Sequence, residues 1–433
     1  MNDHPLPVGI DFSQKQAAIA LLLPDGQPLE GHRTFANSTS GYVQAKRYLL
    51  DALHAQGLAG LDISGEATNY YWLPFFVRLA DDPDLAAQEV QLFLLNPRWV
   101  RGFKKCFAPD DKTDAKDPFY IAERTRTRRP PVPWQPQTEW WPLRFYTRLR
   151  FHLAQALTRE KNFAHVYLFL RCSAYHRTRP FSDTFGATSR RVLTALPALP
   201  ALTAQPLAER ANLLDGWSGH HLPDPLDNAR KLQQAAAESF PLEAALAEPV
   251  QRVLDLTLQH IADLEALIAQ VEQWIADEVQ AHHPEVLNLA GILGIGPVLA
   301  SGIAAEIGDL SRFFHGQKWD KKRQRFRAKN LRDVEDAVAK LAGLWWPPAD
   351  SGDFVAQERR MAKTGHRYLR YYLIEGADGR RRYLPEYAAF YARKYREVTK
   401  HQHKRALVLT ARKSVGLIVG LLHRNEAYRA QEG

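Results

Sequence analysis

The hydrophobic period of the first hundred residues changes in an order that few folds accept. Val8-Gly-Ile-Asp-Phe-Ser13 reads as a buried strand, residues 16–23 follow at once, and the turn Pro24-Asp-Gly-Gln27 leads into a third strand over 28–35. Short turns between them predict an antiparallel meander. Residues 38–56 then take helical spacing, with Tyr42, Val43, Tyr48, Leu49, Ala52 and Leu53 along one face. A strand over 61–64 runs into Gly65-Glu66-Ala67-Thr68, a helix is predicted over 70–79, and a buried strand over 90–95 ends at Asn96-Pro97. Strand, strand, strand, helix, strand, helix, strand, helix is an α/β layout with a mixed sheet.

That order is also the order of the ribonuclease H fold, and it gives the acids a meaning. Asp11 closes the first strand and Glu66 the fourth, while 110–117 (DDKTDAKD) holds four carboxylates in eight residues. On a helix starting near Thr113, Asp114 and Asp117 share one face. A strand-end Asp is ordinarily a turn residue, and an acidic first turn capped by Thr113 would suit the helix dipole equally well. Four acids at fold-equivalent points favour a hard-cation site of Asp11, Glu66, Asp114 and Asp117, with Asp110 and Asp111 pointing away. Two Mg²⁺ (or Mn²⁺) ions held there would activate an attacking oxygen and stabilise the leaving one in phosphodiester cleavage.

Charge points the same way. The 433 residues carry a net charge of +9 and a pI of about 9.4, which suits a polyanion or an acidic membrane surface. No apolar run reaches the roughly 18 residues a membrane span needs, and the start MNDHPLPVGIDFS lacks a signal-peptide layout. Cys106 and Cys172 alone make neither a disulfide framework nor a zinc cluster. A cytoplasmic protein with reduced thiols is expected.

Beyond residue 123 the pattern changes. Residues 124–141 (RTRTRRPPVPWQPQTEWW) form a basic, Pro- and Trp-rich link. Its Arg124, Arg126, Arg128 and Arg129 suit phosphates, and its indoles suit either unpaired bases or the domain's own surface. Residues 143–174 read as a helix with Arg144, Arg148, Arg150, Arg159 and Lys161 on its basic side. Residues 178–240 have weak periodicity and no motif. Strong helical spacing returns over 242–280, where Leu254, Leu258, Ile261, Leu264, Ile268, Val271, Ile275 and Val279 predict a dimerising coiled coil, a helical hairpin, or a helix packed in its own domain. The Gly-rich turn 289–298 has the look of a helix-hairpin-helix. The run 318–332 carries eight Lys/Arg and one Asp; Lys318, Lys321, Lys322, Arg323, Arg325 and Arg327 are its candidate phosphate contacts.

Several of these motifs together resemble one family. Val8-Gly-Ile-Asp11, Gly65-Glu-Ala-Thr68, Asn96-Pro97 and Lys112-Thr-Asp-Ala-Lys-Asp117 look like the Asp-Glu-Asp-Asp transposases of insertion-sequence family one-hundred-and-ten, whose amino-terminal domain is RuvC-like. Pro118 stands where such proteins more often have Ala. Further on, Asp350-Ser-Gly-Asp353 ahead of Ala362-Lys-Thr-Gly-His-Arg-Tyr-Leu-Arg370 resembles the segment holding the family's attacking serine, although 345–350 (WWPPAD) departs from it. The resemblance implies catalysis by Asp11, Glu66, Asp114, Asp117 and Ser351. It also implies donor and target DNA, a structured bridge RNA as guide, and a homo-oligomer (dimer or tetramer) in which one subunit's acids meet another's serine. Within one chain Ser351 and the acids are expected to lie well apart. Three segments follow: a RuvC-like metal domain over 1–130, a basic and helical connector over 131–285, and a helical transposase domain over 286–433. A junction nuclease using water, a DNA invertase of the same family, and a non-catalytic nucleic-acid-binding protein remain the alternatives.

Overall fold

The structure is a computed structural model that describes residues 4–106, 116–127, 130, 132–195, 204–347, 350–351, 354–355, 359–362 and 364–429, with backbone alone at 350, 351, 354 and 355. The chain packs as two compact units. One comprises residues 1–141, 291–295 and 306–433, the other 142–290 and 296–305.

The first unit is built on a five-stranded sheet. Its strands are β1 (Leu6–Phe12), β2 (Gln16–Leu21), β3 (Arg33–Ala36), β4 (Gly60–Glu66) and β5 (Glu89–Leu95), in the order β3-β2-β1-β4-β5. β1 pairs antiparallel with β2 and parallel with β4, and β4 pairs parallel with β5. This is the mixed sheet that the hydrophobic periods predict. The third strand is shorter than expected, because Pro28 makes only an isolated bridge to Leu22 and the ladder restarts at Arg33.

Alternation along β1 assigns its two faces. Leu6, Val8, Ile10 and Phe12 are buried in one core with Tyr42, Ala45, Leu49 and Leu53 of α1 (Thr39–Gln56) and Phe75, Phe76 and Leu79 of α2 (Leu73–Asp81). Each fully buried Leu or Ile contributes about 1.5–3 kcal/mol. Ser38 caps α1 by accepting the Gly41 N–H at 3.2 Å, and Gly57 closes it at φ 61°. Between β4 and β5, α2 is followed by the single turn α3 (Pro83–Ala86). The opposite face carries α4 (Pro97–Lys104) and α5 (Asp117–Thr127), with Leu95, Val100 and Ile121 as a smaller core.

The Pro-rich link returns to the sheet. Trp134 lies edge-on to Trp72 and Phe76, with ring centroids 5.6 and 5.5 Å apart, and its backbone N–H bonds to Leu92. Trp141 packs in the same core. These indoles are core residues and not free stacking surfaces.

In the second unit α6 (Trp141–Arg171, of which Trp141 belongs to the first unit) packs beside the long helix Ala244–His282. Leu254, Leu258 and Ile261 are buried in a core shared with Ala164, Leu168 and the helices of 175–238. The apolar stripe is therefore used at least in part within its own unit. Part of the basic side of α6 is neutralised there as well: Arg150 meets Glu272 at 2.8 Å and Lys161 meets Glu265 at 2.9 Å. Residues 178–240, without a readable period, form the helices Ala187–Thr194, Leu207–Ser218 and Pro225–Glu238.

The carboxy-terminal part of the first unit is helical. Gln402–Arg424 matches a membrane span by length and mean hydropathy alone, but charged residues interrupt it, and Ala406, Ala411, Val415, Ile418 and Val419 are buried against other helices. It is a core helix. In the Gly-rich turn, Gly294 (φ +88°) lies so close to Gly379 that a Cβ would stand 2.4 Å from the Gly379 carbonyl carbon. Ahead of the helix Leu331–Ala342 stands a hairpin of β6 (Gln317–Asp320) and β7 (Arg325–Ala328). Lys318 and Arg327 both hold Asp333, which also completes a capping box with Asn330.

Asp333 is the anchor of that hairpin. The Arg327 guanidinium first, then Lys318 and the Asn330 N–H, hold its carboxyl far below the usual carboxylate range. A depressed carboxyl stabilises the fold above its unfolded value, near pH 4, and the contribution fades only as pH falls through the lower folded value. Asp333→Asn should therefore speed amide exchange of residues 317–328 at neutral pH by roughly tenfold or more, with the difference closing only in strong acid. Unchanged exchange would mean that the hairpin stands without its anchor.

Candidate active site

The register brings Asp11 and Glu66 side by side. Ile10 pairs with Gly65 in the parallel β1–β4 ladder, so the next residue on each strand falls on the same face. That face is the one α5 covers, and two contacts hold α5 against it. A Cβ on Gly9 would stand 2.0 Å from the Pro118 carbonyl oxygen and 2.4 Å from the Ala122 nitrogen, so helix backbone lies on strand backbone. Two residues before Glu66, the buried Ser64 hydroxyl bonds to that of Thr125. Pro118 is the second residue of α5, an early position where the missing N–H costs nothing. Asp117 is thereby delivered at the helix N-terminus, above Asp11 and Glu66.

Glu66 feels both of the other carboxylates. Burial pushes the Glu66 carboxyl above its ordinary value; the Thr68 hydroxyl (3.1 Å to Oε1) and the Lys104 charge pull it back, and Asp11 and Asp117 push it up again. Lys104, the last residue of α4, places its Nζ 2.6 Å from Asp117 Oδ2. Sequence reasoning passed over Lys104, since one lysine in Arg101-Gly-Phe-Lys-Lys105 carries no periodic signal. Among the described residues no three acids, His or Cys converge closely enough to ligate one ion. Asp114 lies outside the described residues, as do Asp110 and Asp111. The donors that are described are carboxylate oxygens, the class a hard divalent cation takes. The repulsion that Glu66 meets from Asp11 and Asp117 is what such a cation would relieve.

At the same end of the sheet, Asn96 follows the last residue of β5, which pairs with Glu66. Its side-chain oxygen caps α4 through the Arg98 N–H at 2.9 Å, and its side-chain nitrogen donates to the Thr364 carbonyl at 3.1 Å. The segment downstream of Ser351 therefore touches the acid-bearing edge within one chain. Ser351 lies in the two-residue strand β8 (Asp350–Ser351), paired with β9 (Phe354–Val355).

The candidate basic residues divide by what they touch. Arg126 bonds to Glu123 and to the Pro24 carbonyl, and Arg124 lies 5.9 Å from the Phe103 ring. Lys318 and Arg327 hold Asp333. Lys321, Lys322, Arg323 and Arg325 make no ion pair among the described residues and are exposed. Arg128 and Arg129 lie outside them.

Two transposase profiles match the chain. A transposase profile of the DEDD type from IS110 elements covers residues 8–169, and the profile of the transposase IS116/IS110/IS902 family covers residues 328–392, together just over half the chain. The chain belongs to the IS110 family of transposases. No curated protein matches the sequence. Membership makes this a DNA-processing enzyme and implies divalent-metal use in general. The first match contains Asp11, Glu66 and Asp117; the second contains Thr364 and the end of the basic hairpin.

The raised Glu66 carboxyl gives this transposase a pH signature. A group whose folded value is raised adds stability below its unfolded value, and that stability is lost as pH rises through the folded one. At neutral pH the ionised Glu66 is therefore a cost. Without added metal, Glu66→Gln should raise the denaturation midpoint at pH 7 and leave it nearly unchanged at pH 4. A lower midpoint at pH 7 would show that the carboxylate is held by contacts stronger than burial and repulsion.

Proposed function

We propose that this transposase cuts and rejoins DNA strands by metal-dependent attack of Ser351, guided to donor and target DNA by a structured RNA. The observation that carries the reading is the juxtaposition of Asp11, Glu66 and Asp117 on the α5 face with the Asn96–Thr364 contact, which draws the segment after Ser351 to the same sheet edge. Asp11, Glu66, Asp117 and, with them, Asp114 would hold Mg²⁺ or Mn²⁺. When bound, the metal would polarise the scissile phosphate and lower the cost of the developing charge.

The rest falls to the chain. A serine hydroxyl is a weak nucleophile near neutral pH and loses its proton only in an activating environment. As the Ser351 oxygen bonds to phosphorus, the P–O bond to the sugar breaks and that sugar oxygen takes up a proton. The phosphodiester energy is kept in a phosphoserine ester, from which a new strand's hydroxyl restores the link without ATP. Asn96 acts as a positioning residue, tying the Thr364 segment to the edge where Glu66 ends. The Asn96–Thr364 contact fixes only the segment after Ser351; the serine itself would meet the acids of another chain once two or four subunits assemble. The protein would work in the cytoplasm, at the nucleoid.

Ser351→Ala should keep DNA and RNA binding while the covalent protein–DNA adduct and recombination disappear. Asp11→Asn should abolish cleavage with the fold intact, because removing repulsion rarely destabilises a carboxylate cluster. Recombination at the normal rate in Ser351→Ala would leave a water-using nuclease as the better reading.

Affinity should also depend on salt through the hairpin tip. Neutralising Lys321, Lys322, Arg323 and Arg325 together should weaken binding and reduce the salt slope by about 3–4, close to one counterion per cation. An unchanged slope would make the tip a solvated surface.

A further inference from the structure

The hairpin Gln317–Ala328 carries more than charge. In its register Lys318 faces Arg327 and Trp319 faces Phe326. Adjacent residues on a strand point to opposite faces. Lys318 and Arg327 reach down to Asp333, so Trp319 and Phe326 stand on the face turned away from that anchor. Their rings meet edge to face, with centroids 5.0 Å apart at 69°. Even so, Trp319 stays 44% exposed and Phe326 63% exposed. An edge-to-face pair leaves one ring face open. The tip beside it is ordered: Asp320 Oδ1 accepts the N–H groups of Lys322 and Arg323 at 3.0 and 3.2 Å, and Gln324 turns the chain at φ 48°. Lys321, Lys322 and Arg323 thus lie in the turn next to this open aromatic pair, while Arg325, opposite Asp320, is on the anchor face of a ribbon fixed at its base.

We propose that Trp319 and Phe326 form a stacking platform for an unpaired base of the DNA undergoing strand exchange, with the tip cations holding the flanking phosphates. A paired base is sandwiched by its neighbours and offers no free face, whereas an unpaired one can lie on an indole while its backbone meets lysine and arginine. A purely apolar partner is disfavoured, because docking it would crowd the unpaired cations of the adjoining turn out of water. The first matched family stretch excludes the hairpin and the second meets it only at Ala328, so neither accounts for the aromatic pair. The proposal rests on the reading that the 318–332 run meets nucleic acid.

The full-length protein is tested on DNA duplexes carrying 2-aminopurine, either in a short unpaired bulge or fully paired, and on single-stranded RNA of the bulge sequence. The wild type should bind the bulged DNA about tenfold more tightly than the paired duplex, on the scale of one base–aromatic stack, and quench the probe in the bulge. Trp319→Thr combined with Phe326→Thr keeps β-branched residues in both strands; it should lose the preference and the quench, yet hold the paired duplex with the same affinity and salt slope. Trp319→Phe alone should retain most of both. Survival of preference and quench in the double variant overturns the proposal, as does an equal loss on every substrate or a preference confined to RNA. Neutralising the four tip cations reads the underlying phosphate contacts separately. It should weaken bulged and paired DNA alike, so failure of that reading shows in the salt slope and failure of this one in the preference.

Discussion

The close approach of α5 to β1 is the constraint on which the described part of the acidic site depends. Gly9 has no side chain, and the Pro118 carbonyl and Ala122 nitrogen occupy the space one would fill. Any larger residue there would lift the helix off the sheet and take Asp117 away from Asp11 and Glu66. The Ser64–Thr125 hydroxyl pair secures the same helix over β4. The acidic geometry in this fold thus begins as a backbone packing problem, and the carboxylates follow from it.

The place of Glu66 is electrostatically unfavourable for a carboxylate. Glu66 is partly buried beside two other acids, and Lys104 on Asp117 offsets only part of the repulsion. Like charges gathered at one end of the sheet do not serve folding, which is what makes them a candidate site. Leu95, Val100 and Ile121, packed beneath, supply apolar burial that helps to hold the helices in place despite that repulsion.

The net charge of +9 is not spread evenly over the surface. Arg126, Arg150, Lys161, Lys318 and Arg327 each hold a carboxylate of the chain itself. Their cationic ends are committed to structure. The tip of the β6–β7 hairpin is different: its cations have no such partner among the described residues, and the anchor at Asp333 keeps them in place. Availability, rather than number, separates a phosphate contact from a structural ion pair.

Much of the fold was legible from the chain alone, because strands and long helices write their period into the sequence. The buried strand of 8–13, the helical spacing over 38–56, the stripe of Ala244–His282 and the strand-end acids Asp11 and Glu66 are all local patterns. Residues 178–240 were not legible: their helices are short, and one buries the guanidinium of Arg210, bonded to the Gln205 and Ala229 carbonyls, at a position where a period would place an apolar residue. In the sequence Trp134 suited unpaired bases and the domain's own surface equally, and only the fold placed it against Trp72. Lys104 gave no sign of Asp117, nor Asn96 of Thr364, since those partners are set by how separate elements meet in space. Local period and residue chemistry determined the elements and the acids they could carry; the tertiary packing alone decided which charges were brought together, which were neutralised and which were left free.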